Sequence, residues 1–424
     1  MTGNLITVKL EKPTYGGAAL GHLSDPLTGT SGRAVFIPFA LPGETVRARV
    51  VEEKRGHLRA ELIEVLTPSP ERITPKCKHF GQCGGCHYQV LPYPAQLETK
   101  TGILRDQLVR IGRIENPPVE PAIPSPGEWN YRNHVQFHLS PDGRLGFMSA
   151  GGAGIIPIEE CHLPEPPLNE LWPQLGFDPG LGLERISLRL GAEGESMLIL
   201  ESEETPELEL EADLSVVHVR GGETVVMAGE DFITIKVEAA TPSSVQKVFR
   251  VSAASFFQVN TLMAGTMVEH LLASLPLPQK TTVLDMYCGV GLFSAFLAPR
   301  AGRVIGVESS PSACEDYVHN LDEFDNVELY EGAAEDILPG LVGQISNLSC
   351  AVIDPPRAGM EVRVLDALLA LAPEKIAYIS CDPSTLARDA RRLINGGYGL
   401  VRVTPFDLFP QTHSIESISM FEKI

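Results

Sequence analysis

Residues 6–10, 33–37, 45–50 and 58–65 alternate apolar and polar positions with a period of two. Each run is short and bounded by Gly, Pro or Gly-Glu turns, the pattern of half-buried strands. About five such strands in this space predict a small closed barrel of the OB type, ended by Thr67-Pro-Ser-Pro70. A helix is predicted over 93–111. A second β-rich region runs from 130 to 237. From 252 onward the rhythm changes: apolar strands at 282–286, 303–308, 326–330, 350–354 and 375–380 alternate with helical segments. That alternation predicts an α/β class, with a doubly wound, mostly parallel sheet. Three domains follow: a barrel (1–66), a central β-rich domain (67–250) to which helix 93–111 need not belong, and the α/β domain (251–424).

At 424 residues the chain exceeds one ordinary core, in keeping with that division. No apolar run approaches the roughly 18 residues of a membrane span, and the amino terminus lacks the apolar stretch of a secretory signal. A cytoplasmic protein without a membrane partner is expected. The net charge of -20 argues by itself against a polyanionic partner. The charge is uneven, however. Between 193 and 238 there are 13 acidic residues against Arg220 and Lys236, whereas between 76 and 113 six Lys/Arg face Glu98 and Asp106. A groove lined by one sign responds to the local field more than to the sum. Arg47, Arg49, Lys54, Arg55 and Arg59 on the barrel are therefore candidate contacts to a nucleic-acid backbone.

Eight cysteines stand at 77, 83, 86, 161, 288, 314, 350 and 381. Three of them form Cys77-x5-Cys83-Gly-Gly-Cys86, which in a large cytoplasmic chain favours a metal site over disulfides. Cys161 is the leading fourth ligand, and four thiolates fit zinc or a 4Fe–4S cluster equally well. His79, His87 and His162 lie nearby and are expected to be surface or supporting residues.

The loop Val283-Leu-Asp-Met-Tyr-Cys-Gly-Val-Gly291 ends an apolar strand and enters a helix. Gly289 and Gly291 let backbone approach a ligand without a Cβ in the way. Glu308 ends the next strand, where a carboxylate can accept from two ribose hydroxyls. The third glycine of Gly-x-Gly-x-x-Gly is missing. With the Asp285-to-Glu308 spacing, that points to S-adenosylmethionine rather than a dinucleotide. Asp354-Pro-Pro-Arg357 follows the fourth strand at the same edge. Enzymes that methylate exocyclic amines place an aromatic after Pro-Pro to stack the base, and Arg357 offers no such face. Cys381 ends the fifth strand. Methyl transfer to nitrogen or oxygen needs no nucleophile from the enzyme, but C5 of a pyrimidine becomes nucleophilic only after a thiolate adds at C6. Asp382 and Thr385 open the next helix, whose amino terminus is expected to lower the Cys381 pKa.

Three segments together resemble the RNA uracil-C5 methyltransferases of the RumA/TrmA type: Asp354-Pro-Pro-Arg-x-Gly359, Ser380-Cys-x-Pro-x-Thr-Leu-Ala-Arg-Asp389 and Phe409-Pro-Gln-Thr-His-Ser-Ile-Glu416. The resemblance covers the whole chain. It implies a class I, Rossmann-like methyltransferase domain, an amino-terminal TRAM barrel, and a 4Fe–4S cluster, rather than zinc, on Cys77, Cys83, Cys86 and Cys161. By that likeness Cys381 is the nucleophile at C6 and Glu416 the base that removes the C5 proton. Gln258 and Phe256, in Ser255-Phe-Phe-Gln-Val-Asn260, contact cofactor and target base. Tyr287, Glu308 and Asp354 line the cofactor site together with Asp285, Gly289 and Gly291. The implied partners are S-adenosylmethionine and RNA, not DNA: large-subunit ribosomal RNA first, the T-loop of tRNA second. A monomer is compatible with this reading. A non-catalytic RNA-binding assembly factor is the alternative from another class; it would be marked by loss of Cys381 or Glu416, and both are present. The target uridine must leave its stack, because a thiolate and a sulfonium approach it from opposite faces. Two positions depart from the family pattern. Asp382 stands where Asn is usual and is expected to oppose thiol ionisation. Ser414 stands where His is usual and is expected to orient Glu416 less firmly.

Overall fold

The structure is a computed structural model that describes residues 4–24, 31–206, 214–240, 245–275, 277, 281–345 and 348–424. Part of the acidic stretch counted above, 207–213, lies outside the described residues. Five strands, β1 (Leu5–Pro13), β2 (Ala18–Ser24), β3 (Ser31–Pro38), β4 (Thr45–Glu53) and β5 (His57–Thr67), close into a barrel in the order β1-β2-β3-β5-β4. The alternation carries the closure. Val8, Leu10, Val35, Ile37, Val46, Ala48, Leu58 and Ala60 fill the interior, while charged side chains point outward. Among those outward residues Arg47 pairs with Glu64 at 2.9 Å, Arg49 with Glu61 at 3.7 Å, and Lys54 and Arg59 with Glu52. Exposed pairs of this kind contribute little stability, so their cations can be exchanged for phosphates.

A helix, α1 (Tyr93–Arg110), leads into a seven-stranded mixed sheet. Its elements are β6 (His134–Leu139), β7 (Leu145–Met148), β8 (Ile155–Pro157), α2 (Pro166–Leu171), β9 (Arg185–Leu190), β10 (Ser196–Glu201), β11 (Ser215–Arg220) and β12 (Glu223–Ala228), with strand order β12-β11-β10-β9-β6-β7-β8. A hairpin of β13 (Phe232–Ala239) and β14 (Val245–Ser252) follows. The sequence assigned most of this hairpin to the central region. Ile233, Ile235, Val237, Phe249 and Val251 share one core both with Met197, Ile199 and Val217 of the central sheet and with the helix at 261–274 and the carboxyl-terminal sheet. Period-two alternation says that one strand face is buried but not against which partner, which is why a boundary at 250 cuts a strand.

The carboxyl-terminal unit comprises α3 (Thr261–Ser274), β15 (Thr282–Met286), α4 (Leu292–Leu297), β16 (Arg303–Glu308), α5 (Pro311–Asn320), β17 (Val327–Glu331), α6 (Ala334–Leu341), β18 (Leu348–Ile353), α7 (Val362–Leu371), β19 (Lys375–Ser380), α8 (Pro383–Asn395), β20 (Tyr398–Phe406) and β21 (Glu416–Lys423). The sheet order is β17-β16-β15-β18-β19-β21-β20. β15 through β19 pair in parallel, whereas β21 inserts antiparallel between β19 and β20. Ile103, Leu104 and Leu108 of α1 pack into this unit's core beside Leu386, Ala387 and Ala390 of α8. No described helix is long and apolar enough to cross a membrane.

α1 also carries a buried charge into the interior. Lys100 Nζ donates to Asp407 Oδ1 at 2.6 Å and to the Phe409 carbonyl at 2.9 Å, with both charged side chains essentially inaccessible. Two ions removed from water are tolerated only while each compensates the other. Lys100→Ala or Asp407→Asn alone is therefore expected to cost about 3–5 kcal/mol. The paired change Lys100→Met with Asp407→Leu should recover part of that loss. Denaturant-unfolding midpoints of the three variants check this.

Candidate active site

The register of β19 and β21 builds the centre of the site. The ladder ends with Ser380 opposite Ser417, which brings the next residues, Cys381 and Glu416, to adjacent strand ends, where the Glu416 charge acts on the thiol. Asp354 follows β18, the neighbour of β19 on its other side, and its charge acts on both Cys381 and Glu416. Arg357, exposed on the same loop, opposes it at both. Three acids or thiols and one cation therefore converge at the carboxyl edge of the sheet.

Their electrostatics are dominated by burial. Burial, then the charges of Glu416 and Asp354, push the Cys381 thiol up to about 12, with Arg357 opposing. The depression expected from the α8 amino terminus is outweighed by burial and by the two neighbouring carboxyls, and the helix cap leaves that terminus little to act with. The free N–H groups of Ser384 and Thr385 donate to Asp382 Oδ1 at 2.8 and 3.0 Å. The positive end of the helix is thus taken up by the capping carboxylate and not by the thiol. Burial alone would raise the Asp382 carboxyl, but donors from Ser384, Thr385 and Tyr15 hold it below its ordinary value. It is a charge, stabilised where it sits. Burial also brings Asp354 up to about 7.

The segment before Glu416 is held from several sides. Lys100 grips its start, as described. Gln96 and Gln411 exchange two hydrogen bonds, at 2.9 and 3.0 Å. The amides of His87 and Tyr88 donate to the Gln411 carbonyl, and Tyr131 donates its hydroxyl to the Pro410 carbonyl at 3.0 Å. Asn260, which caps α3 through the Met263 amide, donates to the Leu408 carbonyl. Ser414, the second departure from the family pattern, donates its amide to Thr412 Oγ1 at 3.2 Å. Apart from the local Ser414–Thr412 bond, none of these anchors carried a sequence signal, because each joins residues far apart in the chain.

At the glycine loop, Tyr287 and Gly289 adopt left-handed backbone at φ +61 and +54. A Cβ at Gly289 would meet open space, whereas one at Gly291 would lie 2.3 Å from Leu321 Cδ1. Gly291 thus makes room on that face for protein packing rather than for a ligand. Glu308 accepts from the Gly289 amide at 2.9 Å and from those of Ser309 and Ser310, which fixes its carboxylate at the strand end. Asp285 is fully buried and accepts from Ser294 Oγ at 2.6 Å, but its Oδ1 has no donor. Burial first, with Ser294 opposing, takes its carboxyl up to about 7. An orphaned carboxylate oxygen beside an open glycine turn fits a cofactor that brings its own donors.

Across the cleft, Asp316 accepts from the Ser252 amide, Ser252 Oγ and Ser255 Oγ, and so pins the 252–258 segment to α5. On that anchored segment Phe257 is buried in the core, whereas Phe256 is 68% exposed. The Gln258 carbonyl accepts from Asn133.

Cys77, Cys83, Cys86 and Cys161 line one cavity of about 240 Å³, with half-buried Arg132 in its wall. The segment is stitched to the central sheet by the Gly84 amide on the Met148 carbonyl. Nearby histidines are engaged elsewhere: His79 accepts from the Glu159 amide, His162 lies 3.6 Å from Glu160, and His87 meets His413 at 3.2 Å. Among the described residues, no three His, Cys, Asp or Glu side chains are gathered to hold a metal ion.

The burial of Glu416 has a pH signature. Burial first and the Asp354 charge next raise its carboxyl well above the ordinary 4.5, against Arg357 and Lys100. A carboxyl raised in the native state destabilises the fold as pH rises above its unfolded value, and costs nothing below it. Glu416→Gln removes that cost. The variant should be more stable than the parent at neutral pH, with the two converging as the pH falls towards 4.5. Unfolding midpoints across that range check the sign.

The sequence profile of the tRNA (uracil-5-)-methyltransferases matches residues 203–424, and that of the TRAM domain matches residues 1–63. An uncharacterized RNA methyltransferase of Aquifex aeolicus is 35% identical over 98% of this chain and 98% of its own. One of Halalkalibacterium halodurans is 34% identical over 99% and 97%. The crystal structure of Pyrococcus abyssi tRNA (uracil-54, C5)-methyltransferase in complex with S-adenosyl-L-homocysteine matches with a TM-score of 0.72 over 98% of this chain and 100% of that one, at 24% identity, a likeness of fold. With its barrel, its sheet order and the carboxyl-terminal half matched, the chain belongs to the tRNA (uracil-5-)-methyltransferase family, enzymes that use S-adenosylmethionine to methylate C5 of uracil in RNA.

Proposed function

We propose that Cys381 is the nucleophile and Glu416 the base of this reaction. The observation that carries the reading is the β19–β21 register, which brings the two residues to adjacent strand ends, with the Glu416 charge acting on Cys381. Bound S-adenosylmethionine supplies an electrophilic methyl carbon, and the chain's own residues do the rest. Phe256, exposed on an anchored segment, offers its ring to the flipped base. Gln258 and Asp354 hold the uracil edge or the cofactor. Tyr287, Glu308, Asp285 and Gly289 line the cofactor side, with Gly291 shaping the turn. The Cys381 thiol, half-buried, gives its proton to solvent, favoured by Arg357, and the thiolate adds to C6 as the C5–C6 π bond opens. The electron pair delocalised onto C5 and O4 then takes up the methyl group at C5. The Glu416 carboxylate removes the C5 proton, the C5–C6 double bond re-forms and the thiolate leaves. Positioning of the reacting atoms can supply roughly 7–11 kcal/mol of the barrier.

The four cysteines are read as ligands of a 4Fe–4S cluster. The cavity that the four cysteines share admits either zinc or a cluster, and the family resemblance is what favours the cluster. A bound cluster would staple the 77–86 segment to Cys161. Methyl transfer moves no electron, so its contribution would be structural.

The substrate RNA is read as large-subunit ribosomal RNA. A uridine of the tRNA T-loop is the second reading, favoured by the Pyrococcus abyssi structure, whose enzyme acts on tRNA uracil-54. That structure aligns over nearly the whole chain, so possession of a barrel does not separate the two. Nucleoside mass spectrometry of ribosomal RNA and tRNA, incubated separately with labelled S-adenosylmethionine, does. Labelled 5-methyluridine is expected in the ribosomal pool; label in tRNA alone reassigns the substrate.

Cys381→Ala should abolish turnover, a loss of at least about a thousandfold; undiminished 5-methyluridine would sink the mechanism. Glu416→Gln should accumulate a covalent RNA–protein adduct, visible as a slow-migrating band in denaturing gels. Addition and methylation still proceed in that variant while proton removal does not.

A further inference from the structure

The barrel reaches into the catalytic edge at one point. The turn between β1 and β2 presents Tyr15, whose hydroxyl donates to Asp382 Oδ2 at 3.0 Å. Its ring meets His413 edge-on at 6.1 Å, on the segment that leads to Glu416. Two residues on, Gly17 sits at φ +81 with His87 so close that a Cβ would lie 2.6 Å from the imidazole. The turn is therefore seated among three segments: the α8 cap that follows Cys381, the segment before Glu416, and the segment after Cys86. Its approach to His87 is close enough to demand glycine.

Asp382 is the residue that departs from the family pattern, and its carboxylate has two faces. Oδ1 caps α8 through Ser384 and Thr385. Oδ2 is left for Tyr15. Glu416 and Asp354 raise the Cys381 thiol against the opposing Arg357; because Asp382 follows the thiol directly, a charge on it left without its donors would add to theirs. Arg388, on α8 itself, also faces Asp382. Tyr15 in turn feels both Asp382 and Cys381, so the three groups share one field.

We propose that Tyr15, contributed by the TRAM barrel, is a positioning residue for the Cys381 nucleophile, acting by donating its hydroxyl proton to the Asp382 carboxylate. The hydrogen bond draws the Asp382 charge away from the thiol and fixes the start of α8 on the barrel. Nucleophile geometry thereby depends on a domain whose other surface is available to RNA. The proposal rests on Cys381 being the nucleophile, but its test reads the thiol directly. It can therefore fail without that assignment failing, and the reverse.

The test is the pH profile of Cys381 alkylation by iodoacetamide in the intact, full-length protein, read on the Cys381 peptide by mass spectrometry. Tyr15→Phe should move the midpoint to higher pH by about half a unit, because the Asp382 charge loses a donor. In an Asp382→Asn background there is no charge to compensate, and the same Tyr15→Phe change should move nothing. An unmoved midpoint in the first variant overturns the proposal, as does an equal shift in both backgrounds. A shift to lower pH also overturns it, since that is the signature of a barrel that has merely come undocked and exposed the thiol to water.

Discussion

One strand insertion governs the catalytic edge. β21 runs antiparallel between β19 and β20 in a sheet whose other described strands are parallel, and its first residue is Glu416. Parallel neighbours alone would present only strand carboxyl ends at this edge. Reversing one strand brings a strand's start to the same edge, so a carboxylate at the beginning of β21 meets a thiol at the end of β19. A slip of one residue in this register would turn Glu416 to the other face of the sheet. The run Ser417-Ile-Ser-Met-Phe421 excludes that slip only in part, since both faces of this central strand are buried.

The remaining precision comes from the segment 407–415, which has no regular structure and is held by polar contacts. Lys100, Gln96, Tyr131, Asn260 and the backbone of His87 and Tyr88 each satisfy a carbonyl, amide or carboxylate on it. A buried irregular segment cannot leave its backbone groups unpaired. Here those partners come from α1, the central sheet, α3 and the cysteine segment. The catalytic edge is therefore a junction of all the major units rather than a property of the carboxyl-terminal domain alone.

That junction gathers negative charge. Asp285, Asp354 and Glu416 are all raised by burial, and Cys381 is pushed up beside them. In the free protein the thiol is protonated and Arg357 is the cation that opposes this. A thiol kept protonated until a base and a sulfonium arrive is protected from adventitious alkylation and oxidation, which follow thiolate character.

The sequence by itself determined the elements and the chemistry. Strands 282–286, 303–308 and 375–380 coincide with β15, β16 and β19, because a buried parallel strand is a continuous apolar run with abrupt polar ends. The barrel was legible because a half-buried strand repeats every two residues. The reaction class was legible because C5 methylation needs a thiol, and the motifs that carry it are local. Placement was not legible. Nothing in the alternation of 232–252 said which core it would enter. The sequence placed Asp382 at the opening of α8, but not the Tyr15 donor that its second carboxylate oxygen accepts from. Nor did anything announce Lys100, Gln96, Gln411, Asp316 or Tyr15, whose partners lie between about sixty and nearly four hundred residues away. Local periodicity records which face of an element is buried; only the folded chain decides what it is buried against, and which charges then have to share a low-dielectric site.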